Sequence, residues 1–274
     1  MSRRISSREN PVFRQLLRIT TSARERRQLA VSFIEGVHLC QSYRARFGAP
    51  RQVIHTAQAS QHPEARVLIE QALNSPLSVE TSGLPGGHCI ELGDGLFGEL
   101  SQVEHGIGIA YVIDTPVAVM PSVIDDDCVY LDGLQDPGNV GTILRTCAAV
   151  GVSRVITAPG TAWCWSPKVL RAGMGAHFAL AIHESIGWDQ LAPLLRVPVM
   201  ATAPQADRTV WAADLSAPRL WLFGAEGSGL NPARSGPGMH WVSLPQRPAV
   251  ESLNVAVAAA VCLFEQLRQR SQPG

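Results

Sequence analysis

Lysine is almost absent from this sequence: of its 23 basic residues only Lys168 is one, the rest being arginine. A GC-rich genome produces that bias without any function, so by itself it proves little. Cysteine pairing is also missing. The six cysteines (Cys40, Cys89, Cys128, Cys147, Cys164 and Cys262) form no Cys-x-x-Cys pair, which argues against structural zinc and against a disulfide framework. Cys147 and Cys262 lie in apolar helical patterns and read as small core residues. No apolar run approaches the roughly 20 residues needed to span a bilayer. The positively charged start, Met1-Ser-Arg-Arg-Ile-Ser-Ser-Arg-Glu-Asn10, has no apolar stretch behind it, so it is expected not to be a signal peptide. Together these absences lead us to expect a protein of the reducing cytoplasm.

Net charge is missing too, since 23 basic residues balance 23 acidic ones. The balance is uneven along the chain. Residues 1–70 hold twelve arginines against five acidic residues, a net of +7, and residues 71–274 carry the compensating −7. An asymmetry of this kind points to a basic face that meets a polyanion. What is present in quantity is apolar: 46% hydrophobic and 17% charged residues over 274 positions. These values suit a compact chain of one large or two modest domains that buries a sizeable core.

Taken in order, Asn10-Pro11 reads as a helix start, with Asn as cap and Pro in the first turn. Val12, Phe13, Leu16, Leu17 and Thr20 form one face of that helix, while Arg14 and Arg18 lie off it; Arg24, Arg26 and Arg27 follow. Residues 29–34 read as a strand, Glu35-Gly36 opens a helix that ends near Gly48, and Gln52–Thr56 is a second strand. This alternation predicts an α/β domain over 1–113. A linker over 114–126 is expected from its prolines (Pro116, Pro121) and the lack of a helical period. Its acidic run Asp125-Asp-Asp127 reads as a solvated turn rather than a metal site. From 127 to 274 apolar runs alternate with helical patterns: Cys128–Leu131, Arg154–Thr157, a helix around Val169, Ala179–Ile182, Val197–Ala201, Leu220–Phe223 and Trp241–Leu244. Continuous apolar strands between helices predict a parallel sheet covered on both faces, with ligands beyond the carboxyl ends of its strands.

Three stretches lie at that edge. Leu131-Asp-Gly-Leu-Gln-Asp-Pro-Gly-Asn-Val-Gly-Thr-Ile-Leu-Arg145 reads as strand, polar turn and helix. Trp221-Leu-Phe-Gly-Ala-Glu-Gly-Ser-Gly-Leu230 reads as a strand opening into a glycine-rich loop with one carboxylate. Leu244-Pro-Gln-Arg-Pro-Ala-Val-Glu-Ser-Leu-Asn254 is a rigid loop running into an alanine-rich helix expected to be buried all round and capped by Ser252, with Asn254 in its first turn. In this order the three resemble the motifs of the SpoU (TrmH-like) RNA ribose 2′-O-methyltransferases of the SPOUT superfamily. The resemblance implies a C-terminal trefoil knot, S-adenosylmethionine as cofactor, no metal and a homodimer. It also implies an RNA substrate, ribosomal RNA ahead of tRNA. The run Phe33-Ile-Glu-Gly36 after the arginine-rich helix resembles the L30e-like substrate-binding domain found before the catalytic domain in many such enzymes.

Carried over residue by residue, the resemblance makes Arg145 the central catalytic group, either accepting a proton or polarising the site through a phosphate. Asn139, Glu226, Ser252 and Asn254 would orient Arg145, the phosphate and the ribose. Gly224, Gly227, Leu244, Gln246, Leu253 and Thr202 would meet the cofactor. Arg14, Arg18, Arg24, Arg26, Arg27, Lys168 and Arg171 would meet RNA. Arg145 sits on an otherwise apolar helix, so its guanidinium is expected to be buried against an anion. Gln246 and Pro248 stand where the family commonly has Met and Gly, Ala225 where Asn or Ser is common, and Trp163-Cys-Trp165 replaces a more polar loop. A catalytically silent RNA-binding or ribosome-assembly protein remains a competing reading. So does a nucleotide-dependent oxidoreductase, although Gly-Ala-Glu-Gly-Ser-Gly lacks the dinucleotide spacing.

Overall fold

A computed structural model describes residues 2–74, 84–103, 105–203, 205–225, 230, 238–247, 249–250 and 252–271. The chain divides into two compact units, Met1–Pro116 with Trp165–Pro167, and Val117–Cys164 with Lys168–Gly274.

The first unit is built on a five-stranded mixed sheet of β1 (Arg3–Ile5), β2 (Val31–Glu35), β3 (Gln52–Thr56), β4 (Cys89–Leu92) and β5 (Ile109–Asp114), in the order β1-β4-β3-β5-β2. β5 runs antiparallel to both its neighbours, and β1, β4 and β3 are mutually parallel. Helices α1 (Pro11–Thr21), α2 (Ala23–Leu29), α3 (Val37–Phe47), α4 (Pro63–Leu73) and α5 (Asp94–Leu100) belong to this unit. α1 begins as the sequence predicts: the Asn10 side chain accepts from the Val12 N–H at 2.9 Å. Its apolar face (Val12, Phe13, Leu16, Ile19) enters a core with Val31, Phe33, Ile54, Ile90 and Val112.

Arg26 departs from its expected surface role. It is 5% exposed, and its Nη1 donates to the carbonyl oxygens of Ile19 (2.7 Å) and Thr20 (3.0 Å). Those carbonyls belong to the last turn of α1, where an intrahelical partner is lacking. Arg26 therefore ties α2 to α1 and does not face solvent.

The second unit is built on a six-stranded sheet in the order β11-β9-β10-β6-β7-β8, with every pairing parallel. Its strands are β6 (Cys128–Asp132), β7 (Arg154–Thr157), β8 (Ala181–His183), β9 (Val199–Thr202), β10 (Leu220–Gly224) and β11 (Met239–Val242). α6 (Pro137–Ala149), α7 (Pro167–Gly173), α8 (Trp188–Leu191) and α9 (Val255–Ser271) complete it. One face of the sheet gives Cys128, Tyr130, Ile156, Ala201, Leu220 and Leu222 to a core with Leu191 and Ile124. Alternation sends Val129, Leu131, Trp221 and Phe223 to the opposite face, where all four are fully buried. α9 lies on β10 and on α6, and the Trp221 indole N–H donates to the Gln266 side-chain oxygen at 2.7 Å inside the protein. α6 reaches α7 closely at Gly141, where a Cβ would stand 2.5 Å from the Ala172 Cβ and 2.7 Å from the Val169 carbonyl oxygen.

Three expectations about this unit are corrected. α9 is not buried all round, because Val257 and Phe264 are each 50% exposed. Asn254, not Ser252, is its cap: the Asn254 Oδ1 accepts from the N–H groups of Ala256 (2.9 Å) and Val257 (3.2 Å). The acidic run is not simply solvated either. Asp126 holds Arg154 through two hydrogen bonds, while Asp127 pairs with Arg270 and accepts from the Arg219 N–H. Cys147 and Cys262 are core residues as expected, and burial pushes both thiols up to about 12. No helix among the described residues is long and apolar enough to cross a membrane.

Candidate active site

Chain order and sheet order disagree in a way that creates a crevice. β6, β7 and β8 step outward in sequence, and the chain then returns to build β9, β10 and β11 on the other side of β6. A parallel sheet with such a switch point binds ligands outside the carboxyl ends of the strands flanking it. Register brings those ends level: Gly224 at the end of β10 is paired with Asp132 at the end of β6, and Val242 of β11 with Thr202 of β9. The loop after β6 is held by Thr161, whose hydroxyl accepts from the Gly133 N–H (3.1 Å) and donates to the Leu131 carbonyl (3.0 Å). Gly133 has φ +73°, a conformation that side chains with a Cβ rarely adopt, so the sharp turn after Asp132 requires glycine.

α6 starts from that loop. Asp136 caps it, its carboxylate accepting from the Asn139 N–H at 2.7 Å. The Asn254 amide at the start of α9 then donates to the Asn139 side-chain oxygen at 2.9 Å. Asn254 thus does two jobs with one side chain: its oxygen caps α9 and its nitrogen bridges to α6. This bond joins two predicted site residues 115 positions apart in sequence.

Arg145 lies two turns beyond Asn139 on the same helix and is exposed, contrary to the expected burial. Gly138, Thr142, Arg145 and Ala149 form an exposed stripe at helical spacing. Its guanidinium therefore carries no desolvation penalty requiring an anion. Among the described residues no carboxylate pairs with it, and Asp136 is occupied in capping. A cation presented in this way is open to an incoming phosphate.

A cleft of about 100 Å³ is lined by Thr202, Ala203, Leu244, Gln246, Ser252, Leu253 and Ala258. It brings together four of the predicted cofactor residues, Thr202, Leu244, Gln246 and Leu253, with Ser252. Gly224 does not line it and sits at the neighbouring strand end. Glu226 and Gly227 lie outside the described residues. Ala203 and Ala258 were not singled out from the sequence; Ala258 follows Asn254 by one helical turn, which is the spacing that would have found it. The cleft is smaller than the roughly 300–1,000 Å³ of a complete ligand pocket, so it suits one flat ring of a larger molecule. Its walls are mostly aliphatic. The Oε1 of Gln246, one of its lining residues, is buried and has no hydrogen-bond partner among the described residues.

The predicted RNA-contact residues are spread over both units. Arg14 pairs with Glu9, and Arg18 pairs with Glu25 at 3.4 Å, both on the surface. Arg24, Arg27, Lys168 and Arg171 are exposed. Among the described residues Arg24 and Lys168 hold no ion pair. A larger hollow of about 570 Å³ beside β11, lined by Arg208, Asp214 and Trp241 among others, shares no lining residue with the cleft. Among the described residues no group of three or more His, Cys, Asp or Glu side chains is placed to hold a metal ion.

Such a strand order, with its switch point between β6 and β10, defines an α/β protein with a ligand site expected at the carboxyl ends of its strands, and comparison with known proteins makes this specific. Residues 127–264 match the model of the SpoU rRNA Methylase family. The 23S rRNA (guanosine-2′-O-)-methyltransferase RlmB of Pseudomonas putida is 30% identical over 211 residues, covering 76% of this chain and 80% of that protein. The chain belongs to the SpoU rRNA methylase family. An uncharacterized tRNA/rRNA methyltransferase of Synechocystis is 42% identical over 155 residues, 53% of this chain and 56% of the relative. Similarly, the match to mouse mitochondrial rRNA methyltransferase 3 covers 45% of that protein. The chain thus spans about half the length of several curated relatives it matches. Among solved structures, an RNA 2′-O ribose methyltransferase superposes with a TM-score of 0.77 at 26% identity, covering 97% of this chain and 99% of that one. The SpoU methyltransferase AviRb of Streptomyces viridochromogenes superposes with a TM-score of 0.82 at 23% identity, covering 96% and 98%.

Proposed function

We propose that the chain transfers a methyl group from S-adenosylmethionine to a ribose 2′-hydroxyl in RNA, with ribosomal RNA as substrate ahead of tRNA. The observation that carries this reading is the Asn139–Asn254 bond, which sets the exposed Arg145 helix beside the loop that lines the Gln246 cleft. When bound, the cofactor supplies an electrophilic methyl group; the chain's own residues supply position. Leu244, Leu253, Ala203 and Ala258 would hold its adenine ring, and Thr202 and Ser252 would meet its polar groups. The role of Arg145 is to anchor the phosphate of the target nucleotide, its planar guanidinium matching the phosphate oxygens, and to draw the ribose into line. Fixing donor and acceptor in one geometry is itself a large share of catalysis. Asn139 and Asn254 hold the helix that carries Arg145, and Glu226 and Gly227 are assigned to the same site on the resemblance alone.

The first unit, over 1–113 with a linker to 126, is proposed as an L30e-like RNA-binding domain, with Arg14, Arg18, Arg24 and Arg27 toward the phosphates and Lys168 and Arg171 contributing from the second unit. Support comes from the +7 charge of residues 1–70. A trefoil knot at the C-terminus is proposed on the family resemblance and on the return of α9 to α6 and β10. A homodimer is proposed because α9 leaves Val257 and Phe264, two turns apart on one stripe, open to solvent; sedimentation as a monomer at micromolar concentration would overturn it. Action in the cytoplasm fits an RNA substrate. The reading is tested by titrating the protein calorimetrically with S-adenosylmethionine: micromolar binding that an Ala258→Trp variant, filling the cleft, abolishes supports it, and absence of binding with and without RNA refutes it.

A further inference from the structure

Arg145 does not stand alone on its face of α6. Gly138, Thr142 and Arg145 follow one another at helical spacing, all exposed. Residues three apart on a helix are neighbours, with Cβ atoms about 5–6 Å from each other. Helical side chains also lean toward the helix N-terminus, so a long side chain at 145 covers the turn that carries Thr142. Gly138, one turn further on, adds no side chain to crowd that surface. The lean is toward Asn139, where the bond to Asn254 ties α6 to the start of α9.

Thr142 also differs from the other helical threonines. A threonine hydroxyl in a helix commonly donates to a carbonyl three or four residues back. Thr20 and Thr21 both donate to the Leu17 carbonyl oxygen (3.0 and 2.7 Å), and Thr146 donates to that of Thr142 (3.0 Å). These three and Thr142 are the threonines of the described α-helices. Among the described residues the Thr142 hydroxyl, unlike theirs, takes no partner. An open hydroxyl and the open guanidinium of Arg145 thus occupy adjacent turns of one helix face.

We propose that Thr142 is a second RNA contact on α6, its hydroxyl donating to an oxygen of the same phosphate that Arg145 holds. The inference rests on the phosphate-anchoring role given to Arg145 above. A planar guanidinium meets two phosphate oxygens in one plane, and a hydroxyl from the neighbouring turn reaches the group from another direction. Two donors on one rigid helix fix the orientation of the phosphate as well as its place, which is what lining up a ribose requires.

The test uses the full chain, with ribosomal RNA followed by filter binding and S-adenosylmethionine by calorimetry. Thr142→Val keeps the branched shape and removes the donor. It is expected to weaken RNA binding about ten-fold, the effect of one hydrogen bond to a charged group, with cofactor affinity unchanged. Thr142→Ser keeps the hydroxyl and should bind RNA within about two-fold of wild type. In an Arg145→Ala background the valine substitution should cost less than about three-fold, because two groups acting on one phosphate do not lose independently. Unchanged thermal melting shows that the variants fold. A Thr142→Val variant that binds RNA like wild type overturns the inference and leaves the methyl-transfer reading intact. So does a Thr142→Ser variant as weak as Thr142→Val, or a loss in the Arg145→Ala background of about three-fold or more. Failure of wild type to bind ribosomal RNA overturns the functional reading, and the inference with it.

Discussion

Replacing Asn254 separates two consequences of one side chain. In Asn254→Ala the cap of α9 is lost, at a cost of about 1 kcal/mol. The bond to Asn139 is lost as well, and because it lies at the surface it is worth only about 0.5 kcal/mol. The sum is about 1.5 kcal/mol of stability. Asn254→Asp keeps an oxygen at the Oδ1 position that accepts from Ala256 and Val257, and its charge is favourable at a helix N-terminus by about 0.3–1 kcal/mol. It loses the Nδ2 donor that Asn139 accepts. Its stability should therefore lie within about 0.5 kcal/mol of wild type, while methyl transfer falls as far as in the alanine variant. Urea unfolding at a fixed protein concentration, beside an assay of methyl incorporation into RNA, reads both quantities. An Asp variant as unstable as the Ala variant would refute the capping role, and a fully active Asp variant would refute the bridge to Asn139 as a requirement of the site.

Other substitutions test other parts of the account. Trp221→Phe leaves the buried Gln266 oxygen without its donor, and urea unfolding should show a loss of about 1–3 kcal/mol. Gly141→Ala puts a methyl group within 2.7 Å of the Val169 carbonyl oxygen; the overpacking should cost about 1–3 kcal/mol in the same assay. Arg26→Ala should destabilise the protein by about 1.5–3 kcal/mol through two lost charged hydrogen bonds. Arg24→Ala should instead leave stability unchanged and weaken RNA binding in filter assays, more at low salt than at high. His177 is 1% exposed, and burial lowers its pKa to about 4 from an ordinary 6.5. The unfolded chain therefore binds the extra proton first, so the contribution of this residue is complete above pH 6.5 and is lost as pH falls from there through about 4. Stability followed across that window should decline by about 3 kcal/mol more in wild type than in His177→Asn.

The parallel sheet was legible because its strands are apolar on both faces: Cys128–Leu131 and Leu220–Phe223 read as unbroken runs, and burial on both sides of β6 and β10 is the physical reason. Its order was not legible, since β9 lying beyond β10 depends on a return of the chain that leaves no local signal. The start of α9 was misread because Ser252 and Asn254, two good capping residues, stand two apart after a proline loop. Backbone geometry decides between them, and the N–H groups of Ala256 and Val257 point at Asn254. Arg145 was expected in the interior because its helix is largely apolar, yet Gly138, Thr142, Arg145 and Ala149 mark a solvent stripe at helical spacing that the sequence did contain. The opposite holds for the first three turns of α9, Val255–Phe264, which are apolar on every side, so no periodicity could reveal that Val257 and Phe264 face outward. Arg26 could not be told from its neighbours Arg24 and Arg27 by residue type; only the open carbonyls of α1 beside it distinguish them.

The most direct test of the central claim is to incubate the protein with S-adenosylmethionine and ribosomal RNA, digest the RNA to nucleosides and identify the methylated product by mass spectrometry. The account predicts a 2′-O-methylated nucleoside that appears with wild type and is missing with Arg145→Ala. Methyl groups on a base, or an equal yield of ribose methylation from Arg145→Ala, would contradict it.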